Sequence, residues 1–145
     1  MREILFKAKR LDNGEWVEGS LLQTTAVSLK YFIVQSACYT FGKLDWIEIT
    51  EVDSETICQY TGLTDKNGNK IWENDICDRK EPFPEIVKMQ KGDWILDYSY
   101  AVGRENCYCN LGFYVCERNS VEVIGNIFDN AELLEASCTN SRTGN

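Results

Sequence analysis

Residues that favour tight chain reversal recur along this sequence, and no other feature restricts its fold as much. They fall at Asp12-Asn13-Gly14, Asn67-Gly68, Glu73-Asn74-Asp75 and Lys91-Gly92-Asp93. Gly, and after it Asn, tolerates the positive φ that a short reversal demands. The stretches around these points alternate apolar and polar residues with a period of two, the pattern of a half-buried strand. Ile4, Phe6 and Ala8 alternate with Leu5, Lys7 and Lys9, and after the Gly14 turn the chain returns through Glu15–Leu22. Trp46, Ile47, Ile49 and Val52 interleave with Glu48 and Glu51 in the same way.

Read onward, this pattern predicts a mainly β protein. Residues 23–28 form a loop and Leu29–Val34 a short strand. Further strands are expected at Trp46–Val52, Thr56–Leu63, Lys70–Trp72, Glu85–Met89, Gly92–Tyr98, Cys107–Glu117 and Val121–Ile127. Asn74 would occupy a sharp bend, and Asp75 would bond back to the backbone of that turn. Pro82 and Pro84 confine their segment to a loop or a sheet edge, because proline cannot donate to a ladder. Ser99–Asn106 reads as a loop. One short C-terminal helix is expected over Ala131–Ala136, capped by Asp129 or Asn130, with Leu133 and Leu134 docking it. The last residues, 138–145, are polar and read as a disordered tail.

The 145 residues are enough for a domain with its own core, and 43% of them are hydrophobic. No apolar run nears the roughly 18 residues of a membrane helix. The N-terminus carries no secretory pattern, so a cytoplasmic location in a bacterial host cell is expected, with no membrane partner. Seven irregularly spaced cysteines in such a chain read as free thiols.

Several chemistries are disfavoured. The chain has no histidine, which removes Ser–His and Cys–His nucleophiles and His-ligated metals. It has no phosphate-binding glycine loop. The charge is −8, from 23 acidic and 15 basic residues, and a surface that binds phosphates relies on the opposite balance. Lys7, Lys9, Arg10 and Lys30 are the only basic concentration, and a nucleic-acid surface would need them in one groove beside aromatics. Cys107, Cys109 and Cys116 are weak candidates for a metal site, completed by Cys77 or Cys138. Their spacing departs from the usual zinc pattern, so no metal and no cofactor are expected. Asp65, Glu73, Asp75 and Asp78 cluster in sequence, but Asp65 and Asp75 are more simply turn organisers. No catalytic residue is expected. The aromatic load between Tyr60 and Tyr114 suits a core or an oligomer interface better than a stacking platform for bases.

One stretch resembles a known family. Gln59-Tyr60-Thr61-Gly62-Leu63-Thr64-Asp65-Lys66-Asn67-Gly68-Asn69-Lys70-Ile71-Trp72-Glu73-Asn74-Asp75-Ile76 is similar to the signature of the YopX family of phage and prophage proteins. Arg2–Ala8 looks like that family's beginning and Val121–Leu134 like its end. Asn74 departs from the family's usual Gly, Cys77 from an aliphatic residue, and Ala131 from a frequent Pro. The resemblance implies a mainly β fold of mixed antiparallel, barrel-like sheets. It implies a single domain over residues 1–137, divisible into an N-terminal β part at 1–55 and a C-terminal barrel at 56–137. It also implies homo-oligomers, but no established activity and no catalytic residues. Gly62, Asp65, Asn67, Gly68, Asn74, Asp75 and Gly125 read as structural turn residues. The expected function is that of a non-enzymatic accessory protein acting by macromolecular binding, with itself and another protein as partners. A small nucleic-acid-binding β-barrel is the alternative.

Overall fold

The computed structural model describes residues 2–135. The chain divides into two compact units, Met1–Tyr60 and Thr61–Asn145. It is mainly β, 51% strand, in antiparallel sheets. No helix is long and apolar enough to cross a membrane among the described residues.

In the first unit β1 (Phe6–Lys9) pairs with β2 (Trp16–Thr24) across the Gly14 turn, where Gly14 has φ +73°. β2 continues into β3 (Lys30–Thr40), and β3 into β4 (Lys43–Glu51). The strand order is β4-β3-β2-β1-β5, where β5 (Cys58–Thr64) begins in this unit. A short 3₁₀ turn at Ser54–Thr56 precedes β5, capped by the Asp53 side chain, which accepts from the Glu55 N–H. The core is Ala8, Val17, Ile33 and Val52, with Phe6, Leu21, Tyr31 and Ile57 packed against it. Gly19 is required by close approach: a Cβ there would fall onto the Val34 carbonyl oxygen.

β3 is far longer than the expected Leu29–Val34, at 11 residues, and β4, at 9 residues, begins at Lys43 and not at the expected Trp46. The reversal between them is Phe41-Gly42, with φ +49° and +81° at the two residues. Consecutive positive φ values are those of the tight hairpin turn whose twist suits flanking strands. A Phe-Gly pair is a weak sequence signal for such a turn. Two irregularities of register, between Val34 and Ser36 and between Cys38 and Tyr39, shift the period-two pattern and hide the strands further.

The second unit holds the rest of β5 with β6 (Lys70–Trp72), and a sheet ordered β10-β9-β8-β7-β11. These are β7 (Asp75–Asp78), β8 (Glu85–Gln90), β9 (Asp93–Asp97), β10 (Tyr108–Asn110) and β11 (Glu122–Asn126). Its core is Ile71, Cys77, Val87, Leu96, Leu111 and Val121. Both strand orders are open, so the barrel-like element of the expectation is met by mixed antiparallel sheets and not by a closed barrel.

Three expectations need correction. The expected strand Cys107–Glu117 is a strand only over Tyr108–Asn110, and Phe113–Glu117 is a π-helical turn. Asn110 causes the break: its Oδ1 accepts the Phe113 N–H at 2.7 Å, and its amide donates to Asp93 at 2.6 Å. The expected loop at Ser99–Asn106 contains a helical turn, Ser99–Val102, closed by Gly103 in the left-handed conformation. Helical residues 132–135 lie where the short C-terminal helix is expected, but the side chains expected to cap them face backward. Asn130 Oδ1 accepts from the Asn126 N–H and Asp129 from the Asn126 amide, both at 3.1 Å. The tail 138–145 lies outside the described residues.

Candidate functional site

Directly opposed residues of an antiparallel pair share one face of the sheet. In the first unit Ile33 is fully buried and lies opposite Leu21 and Thr50, which marks the inner face. The neighbouring positions point to the other side. There Leu22 opposes Phe32, Val34 opposes Ile49, and Ala37 opposes Ile47. An antiparallel sheet covered on one face usually shows polar residues on the other. Here the outer face is largely apolar, with Ser20 and Glu51 among its polar members: Ile47 and Ile49 are 43% and 42% exposed. Towards the hairpin tip Tyr39, Phe41, Leu44 and Trp46 are also exposed, Trp46 at 53%. β4 is the end strand of its sheet. Its far side is met at the C-terminal end, where the Glu51 carbonyl accepts the Leu11 N–H at 3.2 Å beside an Arg10–Val52 bridge. The exposed apolar side chains thus adjoin an edge that is covered only at that end, a combination that marks an association surface.

The charged groups near this face are largely engaged. Glu48 accepts from the Ser36 hydroxyl at 3.0 Å, and Lys30 lies 3.8 Å from Glu51. That last pair borders an open groove of about 310 Å³, lined also by Leu11, Leu29, Tyr31 and Val52. The basic residues of the sequence reading do not form one groove. Lys7 and Lys9 sit over the Trp16 ring, 4.6 and 5.4 Å from its centroid. Arg10 instead pairs with Asp12 at 2.8 Å, a contact that draws the Asp12 carboxyl below its ordinary range.

In the second unit the sequence-predicted turn residues act locally. Asp65 is buried, and its Oδ1 accepts the N–H groups of Asn67 and Asn69 at 3.0 and 2.9 Å. Its Oδ2 accepts the Val123 N–H at 2.9 Å. Burial pushes its pKa up, but these backbone donors outweigh burial and leave it below the ordinary carboxylate value. Gly68 and Asn74 have φ +85° and +70°. Asp75, also buried, accepts the Trp72 N–H at 2.8 Å. Gly62 lies within β5 with φ +85°. Gly125 lies in no turn: it sits in β11 beside a register shift, and a Cβ there would meet the Asn130 side chain at 2.5 Å.

The sequence reading missed a buried polar cluster. Glu85 is 1% exposed, and its Oε1 is 2.6 Å from Arg79 Nε. The two atoms touch as an ion contact without the alignment of a hydrogen bond. Cys109 Sγ donates to Glu85 Oε2 at 3.4 Å, and the Arg79 guanidinium stacks on Tyr114 at 4.2 Å. Burial first, and the Glu85 charge second, push the Cys109 thiol up to about 12, so it stays protonated. Burial also raises Glu85, against the pull of Arg79. Cys109 is thus tied to Glu85, Cys107 follows the Glu105 carbonyl, and Cys116 is exposed on the π-helical turn. Among the described residues no group of three such side chains is arranged to hold a metal ion, and Cys138 lies outside them. The aromatics are committed elsewhere: Tyr60 and Trp72 are buried, Phe83 stacks on Tyr98, and the Tyr100 hydroxyl donates to the Pro84 carbonyl at 2.6 Å.

With this geometry in view, comparison with known proteins is informative about kinship. The YopX protein family matches residues 5–135. Among solved structures, protein EF1440 from Enterococcus faecalis is similar over 92% of this chain and 99% of its own, at 25% identity and a TM-score of 0.58. No curated protein matches this chain.

Proposed function

This chain belongs to the YopX family, and from that premise we propose that it is a non-enzymatic phage or prophage accessory protein of the bacterial cytoplasm. It acts as a homo-oligomer that binds another macromolecule. The observation that carries this reading is the largely apolar outer face of β2, β3 and β4 next to an edge covered only at the C-terminal end of β4. Exposed isoleucine, tryptophan and phenylalanine side chains on one sheet gain most from being covered by protein. The commitment of Asp65 and Asp75 to backbone donors, and the protonated state of Cys109, leave the likeliest reactive groups of the sequence in structural roles.

The test is size-exclusion chromatography with light scattering, read at two wavelengths. A defined oligomer free of nucleic acid is the expected result, and a monomer at tens of micromolar would overturn the reading. A second reading, nucleic-acid binding, is favoured by Lys7 and Lys9 over Trp16. It is opposed by the −8 charge and by the carboxylates that hold Arg10 and Lys30. A peak that carries nucleic acid would put it first.

A further inference from the structure

We propose that the tip of the β3–β4 hairpin seats in the groove of a second copy of this chain, with Phe41 between Leu11 and Leu29 and Lys43 beside Glu51 and Asp53. The proposal rests on the oligomeric reading above and gives that oligomer its interface.

The outer half of the hairpin stands apart from the core of its unit. The pairing of β2 with β3 stops at Ser20 and Val34, so beyond that point β3 is bonded to β4 alone. Every residue from Gln35 to Ile49 is exposed except Cys38, which is half-buried. A two-stranded hairpin on its own is marginal in water. This one carries apolar groups on both faces: Ala37 opposes Ile47 and Tyr39 opposes Leu44 on one, and Cys38 opposes Trp46 on the other. A flat surface covers one face of such an arm, whereas a groove admits its end. The turn itself points the same way. Phe41 is fully exposed with φ +49°, a conformation that bulky residues avoid and Asn accepts. Within one copy the Phe41 ring gains no burial that would offset this local cost, and such breaches of a local rule fall at functional sites.

A fitting receptor lies at the other end of the same hairpin. The groove there encloses about 310 Å³, the size of a small ligand pocket, and so takes an aromatic ring. Leu11 and Leu29, its walls, are well exposed, with Tyr31 and Val52 between them. Glu51 and Asp53 outnumber Lys30 on its rim, a negative balance that complements Lys43 at the tip. Glu51 stands 3.8 Å from Lys30, too far for a hydrogen bond, so its carboxylate can meet a second cation. β3 leaves the groove at Lys30 and reaches the tip at Thr40, a span of about 33 Å, so a copy's tip does not reach its own groove. The contact is therefore between copies. A reciprocal exchange of two tips, or a closed ring, satisfies every tip and every groove. At about 200 Å² per ring, Phe41, Tyr39 and Trp46 expose about 450 Å² of aromatic surface. Each copy buries a tip and also a groove, which brings it near the roughly 800 Å² per partner of a stable interface. Seating the tip also brings Leu44 and Ile47 behind it against the partner.

The experiment uses the full chain. Phe41→Asn creates Asn-Gly, the preferred pair for a hairpin turn of this kind. Diluted until monomeric, that variant should unfold at higher urea than the unmodified chain. Its assembly should nonetheless be at least tenfold weaker by light scattering. A misfolded chain would not give this pair of opposite signs. Leu29→Lys removes one wall of the groove and faces Lys43 with a like charge, so it should dissociate as well. Mixed in equal amounts, the two variants keep one intact tip and one intact groove, and should form a heterodimer where each alone is monomeric. A Phe41→Asn chain that assembles as the unmodified chain does, or whose monomer is less stable, overturns this interface and leaves the oligomeric reading standing. A mixture without heterodimer does the same. An unmodified chain that stays monomeric at tens of micromolar overturns both.

Discussion

Asp65 satisfies three backbone N–H groups from two separate segments, its own turn and β11. Its replacement by Ala strands those donors in a buried site, at a cost of about 3 kcal/mol. Urea unfolding monitored by tryptophan fluorescence checks this, and a loss under about 1 kcal/mol would mean that water replaces the carboxylate. The same bonds hold its folded pKa below the unfolded value of about 3.9. Its stabilisation is therefore complete above that value and is lost as pH falls through the lower, folded one. Glu85→Ala should cost a similar amount, about 3 kcal/mol, for another reason: it leaves the Arg79 guanidinium without its nearest anion. The two residues differ in legibility. Asp65 two residues before Asn67-Gly68 announces a turn by local chemistry alone. Glu85 and Cys109 are 24 residues apart and meet only because β8, β9 and β10 are adjacent, which no spacing rule reveals. Gly19 is hidden likewise, since its need for hydrogen alone comes from Val34 on the next strand.

For the secondary-structure elements, the β3–β4 hairpin joins the fold to the proposed function. Its apolar residues read as a core pattern in the sequence, yet they divide between a covered face and an open one. Ile33 goes inward, while Ile47 and Ile49 go outward. Replacing Ile47 and Ile49 together with Thr preserves strand preference. Because both are exposed, the folded monomer should lose no more than about 1 kcal/mol. The oligomer, in contrast, should dissociate at concentrations where the unmodified chain stays assembled. Light scattering and urea unfolding on the same sample separate these effects, and equal losses in both would show that the isoleucines serve the unit's own packing. The Cys107–Glu117 segment illustrates a different failure of the period-two rule. Cys109, Leu111, Phe113 and Val115 alternate like a strand, but Asn110 offers the Phe113 N–H a local acceptor, and the helical turn prevails. Asn110→Ala should cost about 1 kcal/mol, the usual effect of removing such a cap, measured by thermal unfolding.

Across the whole molecule, charge and apolar surface oppose each other, and their balance is measurable. Each copy carries −8, with no histidine to alter that figure near neutrality. Stability should therefore change little between about pH 6 and 8 and fall in acid. Asp65 and Asp97, both held below their ordinary range, lose their contribution there, whereas Glu85, raised by burial, is relieved by protonation and offsets part of the loss. Association should respond to salt in a way that separates the two functional readings. Two like-charged copies repel over distances comparable with the Debye length, which shrinks from about 10 Å at 0.1 M to about 3 Å at 1 M. The exposed isoleucines are not weakened by salt. The repulsion is the larger electrostatic effect, so raising salt over that range should tighten the oligomer several-fold. Nucleic-acid binding through Lys7, Lys9 and Trp16 would respond oppositely, because each phosphate contact releases counterions and weakens as salt rises. Sedimentation velocity across a salt series, with and without an oligonucleotide, reads both trends in one experiment. An oligomer that falls apart as salt rises would show that ion pairs, and not the apolar face of β3 and β4, hold the copies together.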